Sequence, residues 1–192
     1  RRVGLGERAD LRIMDYGEDE RGSSFNLVYR GTHWARIEWP VWGLYNARNA
    51  AMASLACALA QSPQGPLTFN PESLNQYAGV KRRQEVLAAD AGRCVLTDFA
   101  HHPTAIRETL RCLRARFPDH HLMVCFEARS NTACRKIHET AFELTFDEAD
   151  EVFLGEVFRP ERYPESDRID LPMMAVRLGP KATAHTRNQD LG

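Results

Sequence analysis

No stretch of this 192-residue chain is both long and apolar enough for the ~20 residues that a membrane-spanning helix needs. The longest uncharged apolar run lies near residues 50–60, and "RRVGLGERADLRI" holds no apolar core of a secretion signal. Charge of one sign is lacking as well. Lys plus Arg number 25 against 26 Asp plus Glu, which argues against a dedicated nucleic-acid binder with a basic stripe. Cysteine is sparse. Cys57, Cys94, Cys112, Cys125 and Cys134 form an odd set with no C-x-x-C spacing, as expected of reduced core thiols in a cytoplasmic protein. Two phosphate-binding signatures are absent. No G-x-x-x-x-G-K-[ST] occurs, and no G-x-G-x-x-G follows a strand, so this chain by itself has no recognisable triphosphate cradle. There is no internal repeat. The sequence begins at Arg rather than Met, which hints at a fragment.

What is present is a chain rich enough in apolar residues, at 43%, to bury a core. Residues 11–39 read as β, with Phe25, Leu27 and Tyr29 alternating as on a half-buried strand. Turn signals fall at Gly17 with the acidic patch Glu18–Glu20, at Gly22-Ser23 and at Gly31-Thr32. Residues 46–61 read as an Ala-rich helix, small enough in side chain to pack closely on a sheet, ended by "SPQGP" at 62–66. A short helix over 69–77 takes Asn70 as cap and Pro71 as its first residue.

Beyond residue 78 the pattern changes to β-α-β-α-β. Strands are predicted over 94–99, a buried 121–127 and the start of 151–158. Helices are predicted from Pro103, with Ile106, Leu110, Leu113 and Phe117 on one face, and near 134–146. Such a series implies an α/β fold with a largely parallel sheet and right-handed crossovers. Ligands then bind outside the carboxyl ends of the strands, where the polar loops "DFAHHP" and "EARSNTACRK" lie. The tail from Pro160 is rich in Pro, Arg and Asp, and "TAHTRNQDLG" is expected to be loosely ordered.

Several residues in these loops carry chemistry, each with a plainer alternative. Asn46 and Asn49, three apart at a helix start, can turn two carboxamides the same way to grip a purine edge or ribose; Asn46 can equally be only an N-cap. Lys81, Arg82 and Arg83 suit phosphate or carboxylate, or are solvated surface. Asp98, His101 and His102 invite three readings: a metal site, an acid/base pair, or a structural loop in which His102 caps the helix at Pro103. Arg129, Ser130 and Asn131 combine a cation with two small hydrogen-bonding side chains, as a carboxylate-bearing ligand would require or as a capping loop would contain.

Four of these segments together resemble the Mur ligase family of peptidoglycan precursor synthesis. "GLYNARNAAMASLACALA" resembles its G-x-H-N-x-x-N-A-x-A-A helix start, "GVKRRQEV" its G-x-x-R-R-x-E junction and "TDFAHHPTAIRETL" its D-[YF]-A-H-x-P loop. "CFEARSNT" looks closest to the F-E-P-R-S-N-T segment of the family's murein peptide ligases, which join a recycled tripeptide to UDP-N-acetylmuramate. Tyr45, Gln84, Thr97 and Ala128 depart from the family pattern. The resemblance implies a C-terminal part of the central ATPase domain over residues 1–77 and a Rossmann-like C-terminal domain over 78–192. It implies that Asn46, Asn49, Arg83, Asp98 and His101 serve ATP and that Arg129, Ser130 and Asn131 serve the incoming amino acid or peptide. It further implies that UDP-N-acetylmuramate is activated as an acyl phosphate before the amine attacks, with Mg2+ and the phosphate loop supplied from upstream. Two other classes stay open: a noncatalytic Rossmann-like binding module, and a small metal-dependent hydrolase built on Asp98, His101 and His102.

Overall fold

A computed structural model describes residues 1–63 and 68–185. The chain divides into two compact units, Arg1–Lys81 and Arg82–Gly192.

In the first unit β1 (Val3–Gly4), β2 (Leu11–Asp19), β3 (Gly22–Tyr29) and β4 (Thr32–Trp39) form one sheet in sequence order. β1 runs parallel to β2, and the other pairings are antiparallel. Alternation puts Leu11, Ile13, Phe25, Leu27, Ala35, Ile37 and Trp39 on one buried face. That face meets α1 (Leu44–Gln61), whose Ala47, Ala50, Ala51, Leu55 and Ala58 are buried at helical spacing. Burying one such leucine contributes roughly 1.5–3 kcal/mol. The opposite side of α1 carries Met52, Ala53, Ala56, Cys57 and Ala60, all exposed. A short 3-10 helix, Pro71–Gln76, follows, with the Asn70 side chain accepting the Glu72 N–H at 3.0 Å.

Of the exposed acidic patch only Glu20 lies in the turn, while Glu18 and Asp19 belong to β2. β2 continues to Asp19 because a bulge between Met14 and Gly17, with Asp15 at φ 53°, resets its register against β3. Glu18 is thereby fixed: its carboxylate accepts the Gly43 N–H at 2.7 Å and the Tyr16 hydroxyl. Gly43, at φ 96°, is the N-cap of α1, so an acidic side chain from the sheet satisfies a donor at the helix start.

The second unit holds two sheets. β5 (Glu85–Ala89) pairs antiparallel with β6 (Cys94–Thr97). β7 (Met123–Phe126), β8 (Glu151–Leu154) and β9 (Ala182–Ala184) are parallel. α2 (Pro103–Arg116), a short α3 (Glu139–Glu143) and α4 (Leu171–Leu178) complete an α/β arrangement. The core gathers Ile106, Leu110, Phe126, Phe142, Phe146, Val152, Leu154 and Met174, with Phe126 5.2 Å from Phe142 and 5.7 Å from Phe146 between ring centroids.

Five expectations change. The strand at 94–97 pairs antiparallel with β5 instead of opening the parallel series, whose third strand is β9 in the tail; the helix α4 also lies in that tail. Residues 186–192 of the tail, and 64–67 of the predicted helix stop, lie outside the described residues. The helix near 134–146 shrinks to five residues of α-helix after a 3-10 turn. β7 is buried on one face only: Met123 is 57% exposed and Cys125 is exposed, because an apolar run does not reveal that one of its faces lacks a cover. All five cysteines are free, but only Cys112 and Cys134 are core thiols. No described helix is long and apolar enough to cross a membrane.

Two contacts yield tests. Gly22 has φ 145°, and a Cβ there would lie 1.9 Å from the Trp39 carbonyl oxygen. Gly22→Ala should destabilise the first unit by about 2 kcal/mol or more, read as a lower urea midpoint. Asp150 accepts the Leu122 N–H at 2.7 Å and the Arg114 guanidinium at 2.5 Å, tying α2 to the starts of β7 and β8. The backbone N–H of Leu122, then Arg114, holds its carboxyl below the ordinary 3.8. A depressed folded value means the contribution is complete above that ordinary value and is lost as pH falls below it. Asp150→Asn should therefore lower the urea midpoint at neutral pH, with variant and parent converging below pH 3.8.

Candidate functional site

The start of the second unit is built from a strained backbone. Arg82 and Gln84 have φ of 58° and 51°, a left-handed conformation that costs a non-glycine residue roughly 1–2 kcal/mol. Two carboxylates hold it. Glu85 accepts the Arg82 N–H at 2.8 Å, and Asp98 accepts the Gln84 N–H at 2.9 Å. The other Asp98 oxygen accepts the Ala100 N–H at 2.7 Å, and the Phe99 N–H reaches the Arg82 carbonyl at 2.7 Å. The β5–β6 pairing, with Glu85 opposite Thr97, brings these two stretches together. Beneath them Gln84 is buried, its amide oxygen 3.7 Å from the Cys112 thiol.

Reversed backbone on both sides of Arg83 leaves that side chain exposed, its guanidinium 5.5 Å from the centre of the Phe99 ring. Phe99 is 52% exposed and meets the His101 ring edge-on at 5.4 Å. His101 Nδ1 lies 3.1 Å from the Phe99 carbonyl. Arg83, Asp98 and His101 thus share one cluster, organised by Phe99. Phe99 was not among the residues singled out from the sequence; an aromatic directly after a strand-end aspartate was the available signal. His102 is the N-cap of α2, accepting the Thr104 N–H, and its ring lies 4.7 Å from that of His138. Asp98, His101 and His102 do not converge: among the described residues no group of three His, Cys, Asp or Glu is placed to hold a metal ion.

The second polar loop follows β7. Ser130 accepts the Ala133 N–H on its hydroxyl at 3.1 Å, and its carbonyl accepts the Cys134 N–H at 3.0 Å, so it shapes the loop. Arg129 reaches Glu127 at 3.3 Å and lies 4.5 Å from the Phe158 ring centre. Asn131 is exposed. In the first unit Asn46 donates to the Trp42 carbonyl at 2.7 Å and is not the N-cap, which is Gly43. Asn49, one turn on, is exposed. Lys81 is exposed at the end of that unit.

These bonds predict what Asp98 does for folding. Asp98→Ala removes the acceptor of two backbone N–H groups, so hydrogen–deuterium exchange at Gln84 and Ala100 should accelerate, with a stability loss of about 2 kcal/mol. Unchanged protection at both amides would contradict the bridging role.

Comparison with known proteins adds an independent line. The family described as "Mur ligase, glutamate ligase domain" matches residues 82–177. A UDP-N-acetylmuramate–L-alanine ligase of Desulfitobacterium hafniense is 33% identical over 90% of this chain and 37% of its own length. Its counterpart in Acidothermus cellulolyticus is 33% identical over 85% of this chain and 34% of its own length. The chain therefore spans little more than a third of these relatives. Among solved structures, the UDP-N-acetylmuramate–alanine ligase of Thermotoga maritima shares the fold with a TM-score of 0.72 at 21% identity, over 98% of this chain and 40% of that protein. A murein peptide ligase of Psychrobacter arcticus gives a TM-score of 0.65 at 25% identity, over 100% of this chain and 39% of that protein.

Proposed function

The chain belongs to the Mur ligase family, and from that premise we propose that it forms part of an ATP-dependent ligase joining an amino acid or peptide to UDP-N-acetylmuramate. In this reading residues 1–77 are the C-terminal part of the central ATPase domain. Residues 78–192 are the C-terminal domain that receives the acceptor. The observation that carries the nucleotide assignment is the cluster of Arg83, Asp98 and Phe99. It joins a guanidinium, an exposed aromatic face and a carboxylate at a site whose strained backbone is held by Asp98 itself.

The residues fit the adenosine end of ATP. Phe99 and Arg83 offer a surface on which a flat base can stack. Asp98 spends one acceptor position of each oxygen on backbone N–H groups. A carboxylate has about four such positions, so ribose hydroxyls can still be accepted. His101 flanks the ring. Asn46 and Asn49, in the first unit, are likewise assigned to ATP, for which their carboxamides offer both donors and acceptors. ATP, with Mg2+, supplies the phosphoryl group that activates the muramate carboxylate. The phosphate loop and the metal ligands are assigned to segments other than these 192 residues. Arg129, Ser130 and Asn131 orient the acceptor so that its amine is presented to the activated carboxyl carbon, a gain of position rather than of acid/base chemistry.

Two outcomes are expected. The purified 192-residue chain should show no ligase or ATPase turnover, measured as ADP release with UDP-N-acetylmuramate, L-alanine and Mg2+; detectable turnover would refute the division of labour. In the full-length ligase, Arg83→Ala should raise the KM for ATP about ten- to hundredfold, as expected for a lost charge-assisted contact. An unaltered KM for ATP would remove Arg83 from the nucleotide site.

A further inference from the structure

The parallel sheet directs two arginines to one place. β7 and β8 end in register, Phe126 opposite Leu154, and the ladder continues past both ends. Gly155 N–H reaches the Phe126 carbonyl at 2.9 Å, and Phe158 N–H reaches the Ala128 carbonyl at 2.9 Å. The loops after the two strands are thereby stitched together at the carboxyl edge of the sheet, where an open α/β sheet binds its ligands. Phe158 stands at that seam. Arg129 places its guanidinium carbon 4.5 Å from the ring centre, and Arg159 places its own 5.0 Å from the same centre. The two cations can be no further apart than those distances combined.

Like charges do not gather on one ring without compensation. Arg129 has Glu127 at 3.3 Å. The exposed Arg159 guanidinium has neither an ion pair nor a hydrogen bond among the described residues. Its backbone is strained as well: Arg159 sits at φ 51°, ψ 58°, directly before Pro160. A residue before proline favours extended backbone, and the left-handed region costs a non-glycine residue roughly 1–2 kcal/mol. The turn holds that conformation through the Arg162 N–H, which donates to the Arg159 carbonyl at 3.0 Å. A strained residue, held in place, thus sets a cation beside an aromatic shared with a second cation, an arrangement that suits an anion.

We propose that Arg159 is a specificity residue of the acceptor side, forming with Arg129 a clamp around Phe158 for an acceptor that carries two carboxylates. Arg129 takes one carboxylate beside Ser130 and Asn131, and Arg159 takes the other. An acceptor with a single carboxylate leaves Arg159 unpaired. This inference rests on the reading of the 129–131 loop as the acceptor side.

The test is an NMR titration of the 15N-labelled 192-residue chain with L-alanyl-D-glutamate, which has two carboxylates, with L-alanine, which has one, and with inorganic phosphate. The dipeptide should shift the side-chain Nε–Hε signals of both Arg129 and Arg159 and bind about tenfold more tightly than L-alanine, as one further charge-assisted contact warrants. Arg159→Gln, shown to be folded by its retained amide dispersion, should abolish that preference. If the dipeptide moves Ser130, Asn131 and Arg129 but not Arg159, or if Arg159→Gln keeps the preference, the clamp is wrong and the acceptor-side reading stands. Phosphate shifting Arg159 as strongly as the dipeptide would likewise overturn the selection for two carboxylates. If neither organic ligand moves Ser130 or Asn131, the acceptor-side reading fails and the clamp fails with it.

Discussion

Asp98 is the constraint around which the second unit begins. Its two oxygens accept N–H groups from Gln84 and Ala100, residues on two separate stretches of chain. Without it the reversed backbone at Arg82 and Gln84 has one holder fewer, Arg83 is no longer fixed against Phe99, and the approach to α2 loosens. One side chain thus couples local strain to the presentation of a binding surface. Such coupling is common at functional sites, where an unfavourable backbone persists because its surroundings over-determine it. An aspartate suits the position because it is short, and because as a carboxylate it accepts without needing a donor in return.

The same economy recurs elsewhere in the chain. Glu18 reaches from β2 to the N–H of Gly43 at the head of α1. Asp150 gathers Leu122 and Arg114 at the entry to the parallel sheet. Asp170 accepts the Met173 N–H at the start of α4. In each case a carboxylate neutralises donors that regular structure leaves unpaired, and the elements so fixed are those that lead into polar loops. These acids are committed to backbone N–H groups, and Asp150 holds an arginine as well.

The strands of the first unit were legible because Phe25 and Leu27 alternate with polar neighbours, and α2 because its apolar residues recur at helical spacing after a proline. Composition could not show pairing. Residues 94–97 are as apolar as a central parallel strand, yet they pair antiparallel with β5, since the partner of a strand is set by distant sequence and not by its own pattern. β9 and α4 lay hidden in a tail whose prolines and charges suggested irregular chain. At the site, Asp98, Arg83 and His101 were legible as a group only through the family resemblance; local pattern left metal and acid/base readings open. Phe99 and Arg159 were missed because their importance lies in what their neighbours do: an aromatic face matters when an arginine is aimed at it, and that aim depends on positive φ angles that no residue type announces.

The outer side of α1 carries Met52, Ala53, Ala56, Cys57 and Ala60 into solvent, and Arg48 is the only charge on the whole helix. A formal net charge of −1 gives the chain little electrostatic repulsion between copies. Kept at high concentration, the chain has a helical surface that resists wetting and an exposed thiol at its centre. Its handling is therefore governed by colloidal behaviour and thiol oxidation as much as by the cohesion of its core.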